Sequence, residues 1–136
     1  MMDMKNRVFW ALNSVGALLL GATIYLLFRE GTYIHSFLSF SAFAWAESHF
    51  FGAYILRYYA SDFLWTYSLC CALYAVVLPR RRGGIVLALC SGGLGIVWEI
   101  LQWSDRVQGT GDMWDCLTYG LAAIVAIYIN IRKEGK

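Results

Sequence analysis

Four long apolar stretches dominate this chain, and they leave few ways for it to fold. The first runs from Val8 to Phe28. Its length of about 21 residues crosses a hydrocarbon core of roughly 30 Å at about 1.5 Å of rise per residue. The others cover residues 63–78, 85–103 and 113–131. Of the 136 residues, 60% are hydrophobic and 15% charged, whereas soluble domains average roughly 45–50% and about 25%. Mean hydropathy is +0.55. The sequence therefore predicts an all-α, polytopic membrane helix bundle with four transmembrane helices, a single domain over 1–136. It leaves no length for a soluble catalytic domain beside the spans. The first stretch follows Lys5 and Arg7, as a signal peptide would. It is longer than the apolar core of a signal peptide, about 7–15 residues, and no small-residue cleavage site follows, so it is read as a retained span. Pro79 ends the second stretch because its ring nitrogen cannot donate to a continuing helix.

Charge placement orients the spans. Lys5, Arg7, Arg80, Arg81, Arg82, Arg132, Lys133 and Lys136 fall on one side, and Arg29, Arg57 and Arg106 on the other. The positive-inside rule then places both termini and the triple-arginine turn in the cytoplasm. Most acids (Glu30, Glu47, Asp62, Glu99, Asp105, Asp112 and Asp115) lie toward the opposite face. The stretch 33–59 is rich in aromatic residues but interrupted by His35, Ser36, Ser39, Ser41, Glu47, Ser48 and His49. Counting it as a fifth span would send the arginines outside. It is expected as an outer interfacial or re-entrant helix, with an ordinary, slightly polar bundle helix as the alternative.

Small residues let helices approach closely in lipid. The third span carries Ala88, Ser91, Gly92, Gly93 and Gly95, which predicts that it lies at the centre of the bundle. The cysteines form no CxxC pair and are expected as free, buried thiols packing as small hydrophobes; His35 and His49 are not at metal-ligand spacing. No phosphate-binding glycine loop, HExxH or serine-protease ordering is present. The triple arginine is a topology anchor that also suits anionic headgroups, and nothing suggests nucleic acid as a partner.

The polar residues gather around the third and fourth spans. Glu99 lies about 22 Å above the cytoplasmic end of its span, just under the outer interface. Gln102, three residues on, shares its helical face, and Arg106 follows four later. A carboxylate at such a depth marks a functional site by default. The alternative is an internal Glu99–Arg106 ion pair that holds the loop. Asp112, just ahead of the fourth apolar run, fits a helix N-cap, and Asp115 lies far enough in to face the bundle. Asp62 before Phe63 is most simply the N-cap of the second span. Together Asp62, Glu99, Asp112 and Asp115 could hold a divalent cation or a cationic headgroup; no other cofactor is implied.

Glu99-Ile100-Leu101-Gln102, an arginine soon after, and a Gly-Thr-x-Asp-x-x-Asp turn into the last span resemble the VanZ-like family of small bacterial membrane proteins. The resemblance covers roughly residues 92–126, with a weaker echo at Asp62-Phe63-Leu64-Trp65. It implies four or five spans in a bacterial cytoplasmic membrane. Glu99 and Gln102 match the family's Glu-x-x-Gln pair, and Asp115 matches the acid that opens the last helix. Tyr119 stands where many members have asparagine. The family is named after a member implicated in teicoplanin resistance.

The expected function is accordingly the binding of an envelope lipid or glycopeptide-type amphiphile at an outward polar site. The candidate residues are Glu99, Gln102, Arg106, Asp112, Asp115, Asp62 and Tyr119. Two other classes use the same residues: an assembly subunit docking other membrane proteins, with the acids as caps, and a lipid-headgroup enzyme with Glu99 and Asp115 in reach of one another. The orientation carries its own test. In a background whose four native cysteines are replaced, Gly83→Cys resists an impermeant thiol reagent added outside intact cells. Ready labelling reverses the topology.

Overall fold

A computed structural model describes residues 2–28 and 51–134. Its elements are α1 (Met2–Phe28), α2 (Phe51–Ile55), a π-helical stretch (Leu56–Ala60), α3 (Ser61–Val77), α4 (Arg81–Trp103) and α5 (Met113–Glu134). Among the described residues there is no strand. Four segments are long and apolar enough to cross a membrane: Met4–Leu26, Tyr58–Val77, Arg81–Trp103 and Met113–Glu134. These are the four anticipated spans, extended by a few residues at several ends. The chain is thus a multi-pass helical membrane protein by length and composition.

Short connections make neighbouring helices alternate in direction. Leu78 takes a left-handed conformation (φ 48°, ψ 60°) and donates its N–H to the Tyr74 carbonyl at 2.9 Å, which closes α3 just before Pro79. The start of α1 then lies beside the ends of α3 and α5. Arg7 donates to the carbonyls of Ala75 (3.0 Å) and Val76 (2.8 Å), which the end of a helix leaves without intrahelical partners. Lys133 sits 3.3 Å from the ring centroid of Phe9.

α1 and α3 are joined by polar bonds between their facing sides. Ser14 Oγ donates to the Ser68 carbonyl at 3.0 Å, Ser68 Oγ donates back to the Ser14 carbonyl at 2.8 Å, and Tyr67 donates to Asn13 Oδ1 at 3.2 Å. Between apolar helices in lipid there is little hydrophobic drive to pair, so such bonds and close packing hold the contact. The core consists of Trp10, Cys70, Cys71, Tyr74, Ala88, Ala123 and Ala126, mostly small side chains around two rings. Trp10 and Tyr74 meet edge-on at 4.9 Å, and the buried Tyr74 hydroxyl donates to the Gly84 carbonyl at 2.6 Å. All four cysteines are free thiols; Cys70 and Cys71 are buried as expected, whereas Cys90 is exposed and Cys116 only partly covered.

Two sequence expectations are corrected. The central helix is α3, which packs against α1, α4 and α5, rather than the third span. Its Ser61, Thr66, Ser68, Cys70, Cys71 and Tyr74 are buried, so small or hydrogen-bonding side chains give it several close-packing faces. Gly93 in α4, by contrast, has open space around it. Second, Asp62 is not an N-cap. Ile55 and Ala60 both have right-handed helical dihedrals, so helical turns precede Asp62 and the second span has no start there. Residues 51–60 are helical and run into this span; 51–59 are the last part of the interfacial segment expected over 33–59. The rest of that expectation, with both histidines, lies outside the described residues.

The Tyr74–Gly84 bond ties α3 to the start of α4. Tyr74→Phe removes this buried bond between the helices, and should destabilise the fold by about 0.5–2 kcal/mol. The thermal midpoint in detergent checks this; an unchanged midpoint contradicts it.

Candidate functional site

The site is built where α4 ends. Ser104 closes the helix, and Asp105 (φ 55°) turns the chain in the left-handed region. The Asp105 N–H then reaches the Gln102 carbonyl at 3.1 Å and the Arg106 N–H reaches the Leu101 carbonyl at 3.0 Å. This Schellman pair satisfies carbonyls the helix end would leave open. The loop runs back over the helix end. Gly109 (φ 140°) lies against the Gln102 amide so closely that a Cβ would collide with it. The positive φ calls for glycine there, and the missing side chain leaves room for the Gln102 amide.

Asp112 then starts α5. Its Oδ1 accepts the Trp114 N–H at 2.9 Å, which is the cap anticipated from sequence. Its own N–H donates to Glu99 Oε2 at 2.9 Å. Glu99 is 3% exposed. Its Oε1 accepts the Tyr119 hydroxyl at 3.0 Å. The amide of Gln102, oriented to satisfy both neighbours, donates from Nε2 to Glu99 Oε2 at 3.2 Å and accepts the Trp98 indole N–H at 3.0 Å. One carboxylate thus joins the end of α4, the returning loop and the second turn of α5.

Room for this arrangement comes from glycine. A Cβ on Gly95 would lie 2.5 Å from the Tyr119 ring, so the ring occupies the space of the missing side chain. Gly92, one turn earlier, lets the Tyr119 backbone approach, with its carbonyl 3.3 Å from where a Cβ would be.

The network walls a cleft of about 530 Å³ between α3, α4, α5 and the end of α1. Asp62, Glu99, Gln102, Asp115 and Tyr119 all line it, so the structure brings five of the seven sequence candidates together. Asp112 stands behind the wall as the cap. Arg106 is exposed on the loop and does not line the cleft. The expected Glu99–Arg106 ion pair is not formed: Glu99 takes its partners from Asp112, Tyr119 and Gln102, and the turn at Asp105 carries Arg106 to the outer side. Among the described residues no three His, Cys, Asp or Glu side chains gather as a metal-holding group.

Sequence reasoning missed the aromatic lining of Tyr25, Trp65 and Trp98, as well as Thr110. Trp98 had a usable signal, since it precedes Gln102 by four residues and shares its face. Trp65, three residues after Asp62, had the same kind of signal, whereas Tyr25, whose ring centroid lies 5.6 Å from that of Trp65, comes from another helix and had none.

A second cavity of about 830 Å³ lies at the same end of the bundle, lined by Ile24, Tyr59, Phe63, Trp114, Leu117 and Leu121 among others. Neighbouring residues divide between the two. Asp62 and Asp115 face the polar cleft, and Phe63 and Trp114 face the apolar cavity. No family model, curated protein or solved structure matches the chain.

Gly95→Ala should displace the Tyr119 ring and cost about 1–3 kcal/mol of stability through loss of the buried hydrogen bond, read as a lowered thermal midpoint. Gly93→Ala, placed in open space, leaves the midpoint unchanged or raised. Equal effects at the two positions contradict the packing described.

Proposed function

We propose that the protein binds an envelope amphiphile, with its polar headgroup in the Glu99 cleft and its apolar chain in the adjoining cavity. The observation that carries this reading is the pairing of a polar cleft with an apolar cavity at one end of the bundle, lined by neighbouring residues of α3 and α5. A lipid has the same division. Asp62 and Asp115 offer acceptors for hydroxyl or amine groups, and the indoles of Trp65 and Trp98 offer flat apolar faces. A polyprenyl-linked or glycopeptide-type headgroup carries groups of both kinds. The resemblance of residues 92–126 to VanZ-like proteins supports the same ligand class and a bacterial cytoplasmic membrane. With the termini cytoplasmic, as the charge pattern predicts, the cleft opens outward.

Glu99 acts here as a positioning residue. Its oxygens are engaged by protein donors and fix the wall of the cleft. Asp115 is the direct candidate for ligand contact, since it lines the cleft one helical turn before Tyr119.

Mass spectrometry of gently solubilised protein tests this, with wild type beside Asp115→Asn. The expected result is a discrete lipid or glycolipid on the wild type, retained about tenfold less by the variant, as loss of a charged hydrogen bond of about 1.5 kcal/mol implies. A stoichiometric membrane protein retained by both, with no lipid, replaces this reading with that of an assembly subunit.

A further inference from the structure

We infer that the opposite end of the bundle holds a second site, one that binds the phosphate of an anionic phospholipid headgroup. A cavity of about 860 Å³ opens where the start of α1, the α3–α4 turn and the end of α5 meet. Arg80, Arg132 and Lys133 line it, with Glu134 as the opposing acid. Two of these cations are held over aromatic rings: Lys133 over Phe9, and Arg132 at 5.2 Å from the Tyr128 centroid. Such packing limits the rotamer freedom that anion binding would otherwise remove. Arg7 is nearby but already bonded to the carbonyls that end α3, so it is not counted.

Asn130 adds a buried amide to the cavity wall, with its Nδ2 packed against the bare backbone of Gly84. It is 4% exposed, and its Nδ2 has no hydrogen-bond partner. An anionic oxygen in this cavity would meet the three cations. Trp10 and Pro79 add apolar wall beside the charges. Free phosphate has no use for such a wall, whereas the glycerol and upper acyl carbons of a phospholipid do. The cavity also lies at the ends of the spans, the depth at which headgroups sit. The site is independent of the Glu99 cleft, which lies at the other end of the same helices.

The test uses delipidated full-length protein in neutral detergent, titrated with phosphatidylglycerol, phosphatidylcholine or inorganic phosphate and followed by native mass spectrometry and thermal midpoint. Phosphatidylglycerol should be retained in preference to phosphatidylcholine. Each cation near the headgroup contributes about fivefold, so R80Q/K133Q should weaken retention by about 25-fold. Glu134→Gln removes the opposing acid and should strengthen retention, a change that a merely misfolded variant would not produce. Asp115→Asn should leave it untouched, which separates this site from the outward cleft. Equal retention of the two lipids, or a double variant that binds phosphatidylglycerol like wild type, overturns the proposal. Stabilisation by inorganic phosphate equal to that by phosphatidylglycerol also overturns it, in favour of a free-anion site.

Discussion

The buried carboxylate of Glu99 is the constraint on which the functional end of this bundle depends. A polar group removed from water must find partners within the protein, and here they come from three places: the backbone of Asp112, the hydroxyl of Tyr119 and the amide of Gln102. Meeting that requirement fixes the return path of the loop after α4 and the rotation of α5 that brings Tyr119 inward. It also sets the approach of the two helices, because the Tyr119 ring fits only against the bare backbone at Gly95. The cleft is the space these requirements leave beside α3.

The rest of the bundle is held by different means. Toward the end where the termini meet, Trp10 and Tyr74 pack among cysteines and alanines, and Arg7 closes the last carbonyls of α3. Neither end depends on a large apolar core, which lipid would not drive to form. The small residues permit contact, and a handful of buried hydrogen bonds select which contact forms. One end then presents acids and indoles, and the other presents cations around an unpartnered amide.

Much of this was legible in the sequence because length and hydropathy are local properties. The four spans follow from them, as does the shared face of Glu99 and Gln102 from their spacing of three. The Asp112 cap follows from an acid standing just before an apolar run. Asp62 was misread because apolar character begins beside it, whereas backbone hydrogen bonding carries the helix upstream through a less apolar stretch. Arg106 was misplaced because the helix ends in a left-handed turn at Asp105, a residue that gives little notice of it. Tyr119 stood out only as a departure from the family pattern; its fit into the space at Gly95 is a contact between two helices that no single segment reveals. The central position of α3 is likewise a property of the assembled bundle.

The most direct measurement is a double-mutant cycle between Glu99→Gln and Tyr119→Phe, read as unfolding free energy in detergent. If the carboxylate ties α4 to α5 through this hydroxyl, the two substitutions together cost less than the sum of each alone, with a coupling of about 0.5–2 kcal/mol. Strict additivity would mean that Glu99 does not hold Tyr119, and that the wall of the cleft is set by something else.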